Sequence, residues 1–337
     1  MITINIPTSD GVIWGQEQIF ADIIYAMSLN SNISLNFNIE GPDIQSLGLY
    51  DFLISSAKKL NYDIKKIIIY VSNVLEKHTQ FNIQHTNMLH LRANANEYMF
   101  NVKKNTKLKY FGLFVGRSNA PRLALASYLN LQHPEKSIYT YHLNIHDEFH
   151  QANIGLENLI KEYGTDTLDN VCTFLKSCPR LLDNINSITI DKTLNINPAQ
   201  QLLTADKNIF IDQYNNFFVE IVCESYFTGR TFFVTEKTWR PILLKTPFII
   251  QGPQYFLHNL RKLGFQTFDR WWDEGYTEDP ASHQIIEIKK VIDYLAIKSS
   301  EEIADMYKSM QEILEHNYQL LLSLTENDLK KISERTE

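Results

Sequence analysis

Hydrophobic and polar positions change period repeatedly along the first part of the chain. Ile2–Ile6 (ITINI) alternates with period two, as a half-buried strand does, and Ile13–Met27 carries apolar residues at helical spacing. Ile33–Ile39 alternates again, Leu49–Leu60 reads as a helix, and Ile67–Val71 (IIIYV) is a β-branched run bounded by polar residues. Strand, helix, strand, helix, strand in this order predicts a parallel α/β unit.

Between Leu89 and Leu108 the pattern blurs and ends in the polar, basic stretch Lys103–Lys107, where a domain junction is expected. A second α/β series follows. Lys109–Val115 (KYFGLFV) reads as a strand, Arg122–Leu131 as a helix, and Tyr139–His142 as another strand. Helical pieces are expected at Leu156–Tyr163 and Leu168–Leu175. From Phe217 the pattern is strongest: the apolar strand FFVEIVCES, a helix opening at TEKTWRPILL, the buried strand and turn PFIIQGP, and the helix QYFLHNLRKLG with Gly264 at its C-cap. From Ser299 the chain is one long helical pattern, with Ser299 and Glu302 at capping-box spacing. The expected organisation is an α/β domain over 1–106, a second over 107–298, and a helical tail over 299–337.

Composition narrows the class. With 337 residues, two domains are expected at about 150 residues each. Hydrophobic residues at 44% and charged residues at 21% suit a globular chain, and 12 Gly with 10 Pro argue against a linker-like or collagen-like one. A formal charge of −7 argues against coating nucleic acid by charge alone. Three cysteines without a CxxC make a disulfide scaffold or zinc ribbon a poor fit. No apolar run approaches the roughly 18 residues of a membrane span, and the first residues lack the basic and apolar regions of a signal peptide. Cytoplasmic localisation without an integral membrane span is the expectation.

Ligands of open α/β sheets bind beyond the carboxyl ends of the strands, so polar residues after each apolar run are the candidates. After FFVEIV come Cys223, Glu224, Ser225 and Tyr226, and Thr235-Glu236-Lys237 opens the next helix. A helix N-terminus suits a phosphate, a Lys there adds a cation for a diphosphate, and the neighbouring Glu can accept two ribose hydroxyls. The plainer reading is a capping Thr235 beside an exposed Glu-Lys pair. After KYFGLFV comes a second strand-to-helix turn, Gly116 to Arg122, with Arg117, Asn119 and Arg122. Arg suits bidentate phosphate contact; the plainer reading is a solvated turn with Pro121 starting the helix. Two basic turns in one domain point to an anionic ligand between them.

Other patterns carry less. His146-Asp147-Glu148-Phe149-His150 has His at i and i+4 but Asp where HExxH needs Glu. GxGxxG, GxxxxGK[ST] and GxSxG are absent, which removes the dinucleotide fingerprint, the P-loop and the esterase elbow. Trp271-Trp272 could stack a sugar, although tryptophans are more often core.

The block Glu220–Pro253 resembles the donor-binding stretch of α1,3-fucosyltransferases. Glu224-Ser225 stands where that family has Glu-Asn-Ser, without the Asn; Phe233-Val234-Thr235-Glu236-Lys237 stands for its YVTEK, with Phe for Tyr; and Pro247–Gly252 stands for the strand that follows. Lys109–Leu129 is similar to the opening of the same domain, where a strand leads to a turn with a diphosphate-binding Arg. The block also looks like one in glycosyltransferase-like proteins of phages and bacteria. Together the matching segments span about a sixth of the chain.

The resemblance implies a GT-B architecture: two Rossmann-like domains facing across a cleft, the acceptor side N-terminal and the donor side C-terminal, with the final helix returning to the first domain. It implies an inverting, metal-independent transfer from a nucleotide sugar, a GDP-sugar first, with no cofactor; the chain has no Asp-x-Asp. Lys237 and Arg117 are then expected on the diphosphate, with Arg122 beside them and Glu236 on the ribose. Glu224, Ser225, Thr235, Asn119 and Tyr226 complete the donor-binding set. A base must come from the N-terminal domain, where the resemblance names no residue. Glu40, which follows ISLNFNI and precedes Gly41-Pro42, ranks first, Asp10 second, and Glu76 and His78 third. The acceptor is open among a glycan, a lipid-linked saccharide, a protein and DNA. The alternatives are a phosphorylase-like or epimerase-like enzyme on the same layout, and a degenerate GT-B module that binds a nucleotide without transferring a sugar.

Overall fold

The computed structural model describes residues 1–9, 12–37, 40–86, 103–105, 108–115, 119–141, 165–178 and 212–334. The alternating segments near the N-terminus form a parallel sheet from β1 (Ile2–Asn5), β4 (Ile33–Asn36), β5 (Ile67–Val71) and β6 (Asn82–His85), in that order. A short antiparallel pair, β2 (Thr8–Ser9) with β3 (Val12–Ile13), follows β1. Helices α1 (Gln16–Ser28) and α2 (Leu49–Leu60) bury Ile19, Ile23, Ala26 and Met27, and Leu49, Tyr50, Leu53, Ser56 and Ala57. These one-face spacings are what helical amphipathicity requires.

A second parallel sheet has the order β10-β9-β7-β8. Its strands are β7 (Lys109–Val115), β8 (Ser137–Tyr141), β9 (Phe217–Cys223) and β10 (Phe248–Gln251). Every residue of β9 and β10 is buried, as expected of strands covered on both faces. Helices α3 (Ala120–Gln132), α4 (Thr165–Lys176), α5 (Glu236–Leu243), α6 (Phe256–Lys262) and α7 (Ala281–Ala296) flank this sheet. The chain is thus an α/β protein of parallel, Rossmann-like sheets. Among the described residues no helix is long and apolar enough to cross a membrane.

Several elements differ from expectation. Val12–Ile13 pair with Thr8–Ser9 rather than starting α1, whose first residue follows Gly15 at φ 67°. Strand β6 (NIQH) is half-exposed and polar, so it carries no hydrophobic signature. Helix α7 was not expected, although Ile285, Ile288, Ile292 and Leu295 line its buried face at helical spacing. The single C-terminal helix is three: α8 (Ser300–Ser309), α9 (Gln311–Ser323) and α10 (Glu326–Glu334). The chain bends at buried Met310, and Leu324 turns extended before Thr325, whose hydroxyl donates to Asp328. The Ser299–Glu302 capping box forms, and Gly264 sits past α6 at φ 100°, a conformation costly to other residues. The expected helix at Leu156–Tyr163, the end of the strand at His142 and the His146–His150 pattern lie outside the described residues. Trp272 stacks on Phe268 in the core and the Trp271 indole donates to Ser309, so both are packing residues.

A buried ionic group fixes the middle of the second sheet. Glu220, fully buried on β9, accepts from Arg240 of α5 and from the Tyr214 hydroxyl at 2.6 Å. Arg240 also donates to the Tyr214 hydroxyl. Nearby, Lys104 donates to the carbonyls of Tyr214 and Phe217 at 2.7 and 2.8 Å and to Thr246 at 3.1 Å. Burial pushes the Lys104 ammonium down to about 7 although Glu220 pulls it up. Arg240→Met leaves the Glu220 carboxylate buried without its cation. Urea denaturation should show a loss of about 3–5 kcal/mol, most of it recovered in the double variant Glu220→Leu/Arg240→Met.

Candidate functional site

In the second sheet β8 lies on one side of β7 and β9 on the other, so the winding reverses between β7 and β9. The carboxyl ends of these two strands form the switch point at which open α/β sheets bind ligands. Both turns singled out in the sequence leave from here, one toward α3 and one toward α5.

The turn before α5 is built on a buried carboxylate. Glu224 has no exposed surface and accepts from Ser225 N and Thr235 N at 3.2 Å, Thr238 Oγ1 at 2.6 Å, and Thr235 Oγ1. Thr235 is the N-cap of α5 and accepts from Lys237 N at 3.3 Å. Lys237 Nζ lies 2.7 Å from Glu236 Oε1, 3.1 Å from Ser225 Oγ and 3.4 Å from Thr235 Oγ1. The Lys237 and Glu236 side chains are about one-fifth exposed, which leaves both within reach of a ligand. Burial pushes the Glu236 carboxyl up, but the Lys237 ammonium, with a backbone N–H and the Arg240 guanidinium, more than offsets this and holds it below the usual carboxylate range.

The turn before α3 is described from Asn119 onward; Arg117 lies outside the described residues, as does Asp10. Asn119 is the N-cap of α3 and accepts from Arg122 N at 3.0 Å. Arg122 is buried, and its Nη2 donates to the carbonyls of Cys223 and Glu224 at 3.1 Å each. Arg122 therefore ties the start of α3 to the end of β9.

The segment from Tyr226 to Phe233 crosses to the first sheet. The Tyr226 hydroxyl lies 2.8 Å from Glu40 Oε2 and 3.1 Å from Thr8 Oγ1. Arg230 N donates to Asp43 at 2.7 Å, Phe232 N to Asn73 Oδ1 at 3.0 Å, and Thr231 Oγ1 to the Gly41 carbonyl. Asn73 Nδ2 returns a bond to the Arg230 carbonyl at 3.1 Å. A Cβ on Gly41 would stand 2.5 Å from Phe233 Cβ, and one on Gly229 would stand 2.5 Å from an Asp43 oxygen. Glu40 itself is half-buried; its N–H donates to the Phe37 carbonyl and its carbonyl accepts from Ser72 N, both at 3.0 Å. It thus stands where β4 and β5 end.

Glu76 lies beneath this joint. It accepts from Tyr50 Oη at 2.8 Å, Ile44 N at 3.1 Å and Asn73 Nδ2 at 3.4 Å. Burial raises its carboxyl to about 7, outweighing these donors. His78 packs against the Tyr50 ring, and burial lowers its pKa.

Of the residues expected at the site, Glu224, Ser225, Thr235, Glu236 and Lys237 stand together, with Asn119 and Arg122 at the neighbouring turn and Tyr226 joined to Glu40. The sequence reading missed Gly41, Asp43 and Asn73; the signal available was that all three follow first-sheet strands in polar turns. Among the described residues no cluster of three or more His, Cys, Asp or Glu is placed to hold a metal ion.

The sequence matches no protein-family model and no curated protein. Among solved structures, the N-terminal domain of trehalose-6-phosphate phosphatase from Candida albicans is similar at 9% identity and a TM-score of 0.35. The alignment covers 90% of this chain and 63% of that one, so the chain spans less than two thirds of its length. A similarity of this size supports no statement about function.

Two measurements test the joint. Gly41→Ala forces Phe233 away from the first sheet. It should lower stability by about 1–3 kcal/mol and speed hydrogen exchange at the Arg230 and Phe232 amides; unchanged exchange there would contradict the packing described. Glu76 holds its proton to about pH 7 in the folded chain and releases it near 4.5 when unfolded. Between those values the folded state carries the extra proton, so its contribution to stability falls as pH rises. Relative to Glu76→Gln, the wild type should lose about 3 kcal/mol between pH 4.5 and 8; parallel pH curves would refute this.

Proposed function

We propose that the chain is an inverting, metal-independent glycosyltransferase of GT-B type, moving a sugar from a nucleotide-sugar donor to a hydroxyl acceptor. The resemblance of the Thr235-Glu236-Lys237 block favours a GDP-sugar. The observation that carries the reading is the hydrogen bond from Tyr226 to Glu40. It joins a carboxylate at the end of the first sheet to the segment that leads into the cationic turn of the second. An acceptor-side base beside a donor-side phosphate site is the pairing this reaction needs.

In this mechanism Glu40 takes the proton of the acceptor hydroxyl. The acceptor oxygen attacks the anomeric carbon from the face opposite the diphosphate, and the bond from that carbon to the phosphate oxygen breaks with inversion. The bonding electrons leave on the diphosphate, whose growing charge meets Lys237 and the N-terminal amides of α5. Glu236 accepts ribose hydroxyls. Arg117 is a second candidate for the diphosphate and Asp10 a second candidate for the base. Arg122, turned to the backbone of Cys223 and Glu224, positions the strand end.

A second reading, a nucleotide-binding module without transfer, draws on the pairing of Lys237 with Glu236, which satisfies the cation within the chain. Calorimetry with GDP, UDP, CMP and their sugar conjugates separates the readings. One nucleotide should bind the wild type, and Lys237→Ala should weaken it by about tenfold or more, roughly 1.4 kcal/mol. Glu40→Gln should keep that binding and lower sugar release to water or acceptor by about 10²–10⁴. Binding without any turnover in the wild type favours the second reading, and no binding at all removes both.

A further inference from the structure

Among the described residues, the buried side-chain polar atoms without a hydrogen-bond partner are the indole nitrogens of Trp239 and Trp272 and both amide atoms of Gln251. The indoles belong to large aromatic residues of the core. Gln251 is different. It closes β10 at the carboxyl edge of the sheet and has no exposed surface. It follows the apolar run Phe248–Ile250, where a leucine would fill the same place without any desolvation cost. A carboxamide left wholly unpaired in a folded core calls for a reason.

Its surroundings show how local the deficit is. The Gln251 carbonyl accepts from Glu224 N at 2.9 Å, so β10 ends against the residue that organises the cationic turn. Glu224 has four donors, and Arg122 caps two carbonyls beside it. Gln284 of α7 accepts from Gly252 N and donates to the Asp279 carbonyl. Every other buried polar side chain named at this edge is satisfied within the chain. Register places Gln251 beside Cys223 and on the face opposite Glu220, so its amide is not part of the Glu220–Arg240 group.

Along the carboxyl edge the order is β7 with Asn119 and Arg122, β9 with Glu224, Ser225 and the turn to Lys237, then β10 with Gln251. Adjacent strands lie about 4.8 Å apart, so the ends of β7 and β10 are separated by about 10 Å, the length scale of a nucleoside diphosphate. Placed with its diphosphate at the switch point and its ribose at Glu236, a nucleotide is long enough along this edge for its base to reach the β10 end. We propose that the Gln251 carboxamide recognises the nucleobase, offering an N–H donor and a carbonyl acceptor side by side to the polar edge of the base. This rests on the nucleotide-donor reading and adds the residue that selects among nucleotides. Because the amide is enclosed, a base must displace neighbouring side chains to reach it, so nucleotide association should be slower than that of inorganic pyrophosphate.

The test is calorimetry and stopped-flow binding on the full chain with GDP, UDP, ADP, CDP and inorganic pyrophosphate, for wild type, Gln251→Leu and Gln251→Met. Thermal melting is followed in parallel. The wild type should prefer one base by about tenfold or more. Gln251→Leu should melt no lower than the wild type, bind pyrophosphate as before, and compress the preference to roughly threefold or less. Gln251→Met, unbranched and apolar, serves if the leucine variant misfolds. Retention of the wild-type preference in either variant overturns the assignment, as does a wild type that binds all four nucleotides equally. A wild type that binds no nucleotide refutes the donor reading itself and the assignment with it, an outcome distinct from the other two.

Discussion

The contact on which the arrangement depends is the approach of Phe233 to the backbone of Gly41. No side chain fits between them, since a Cβ on Gly41 would stand 2.5 Å from Phe233 Cβ. This closeness lets the segment from Tyr226 to Phe233 reach acceptors and donors on β2 and in the turns that follow β4 and β5. Bonds to Glu40, Thr8, Asp43, Gly41 and Asn73 then follow. At about 1 kcal/mol net each, they form a sum comparable with the whole stability of an ordinary domain. The same segment runs directly into Thr235, Glu236 and Lys237. One stretch of chain therefore sets both the position of Glu40 and the position of the cationic turn.

Buried carboxyl groups serve that geometry. Glu224 organises the turn, Glu220 anchors α5 through Arg240, and Glu76 holds Ile44 and Asn73. Each accepts several donors from its own chain, which offsets part of the cost of burying such a group, although at Glu76 burial still outweighs them. Lys237, Glu236, Ser225, Asn119 and Glu40 are left partly open. Scaffold and candidate chemistry are thus separated by exposure: the enclosed acids aim the accessible residues.

Much of this was legible where local pattern decides. Leu49–Leu60, Ile67–Val71 and Lys109–Val115 have the limits their periodicity predicts, and the Ser299–Glu302 box forms from spacing alone. The Thr235-Glu236-Lys237 turn was visible because an apolar strand, polar residues and a helix start follow one another. Strand β6 was not, because a half-exposed edge strand need not be apolar. The breaks in the C-terminal helix were not either, since Met310 and Leu324 are apolar and sit in phase with the pattern. The meeting of Tyr226 with Glu40 spans 186 positions, and nothing local encodes it. The same holds for Arg122: a basic turn reads as a phosphate site, and only packing shows the guanidinium turned to two backbone carbonyls.

The pairing of Lys237 with Glu236 bears on how a donor would be held. At 2.7 Å the two side chains satisfy each other and keep the ammonium close to Ser225 and Thr235. A diphosphate arriving at Lys237 competes with the Glu236 carboxylate for that cation. Displaced from it, the Glu236 carboxyl group needs new partners, which ribose hydroxyls supply. One ion pair within the chain becomes one with the phosphate, and the carboxylate passes to the sugar hydroxyls. On the proposed reading, adjacent Glu and Lys at the start of α5 each exchange one partner for another when the donor binds. Inorganic pyrophosphate, which has no ribose, would break the pair and leave Glu236 unmatched, which favours a nucleotide over pyrophosphate.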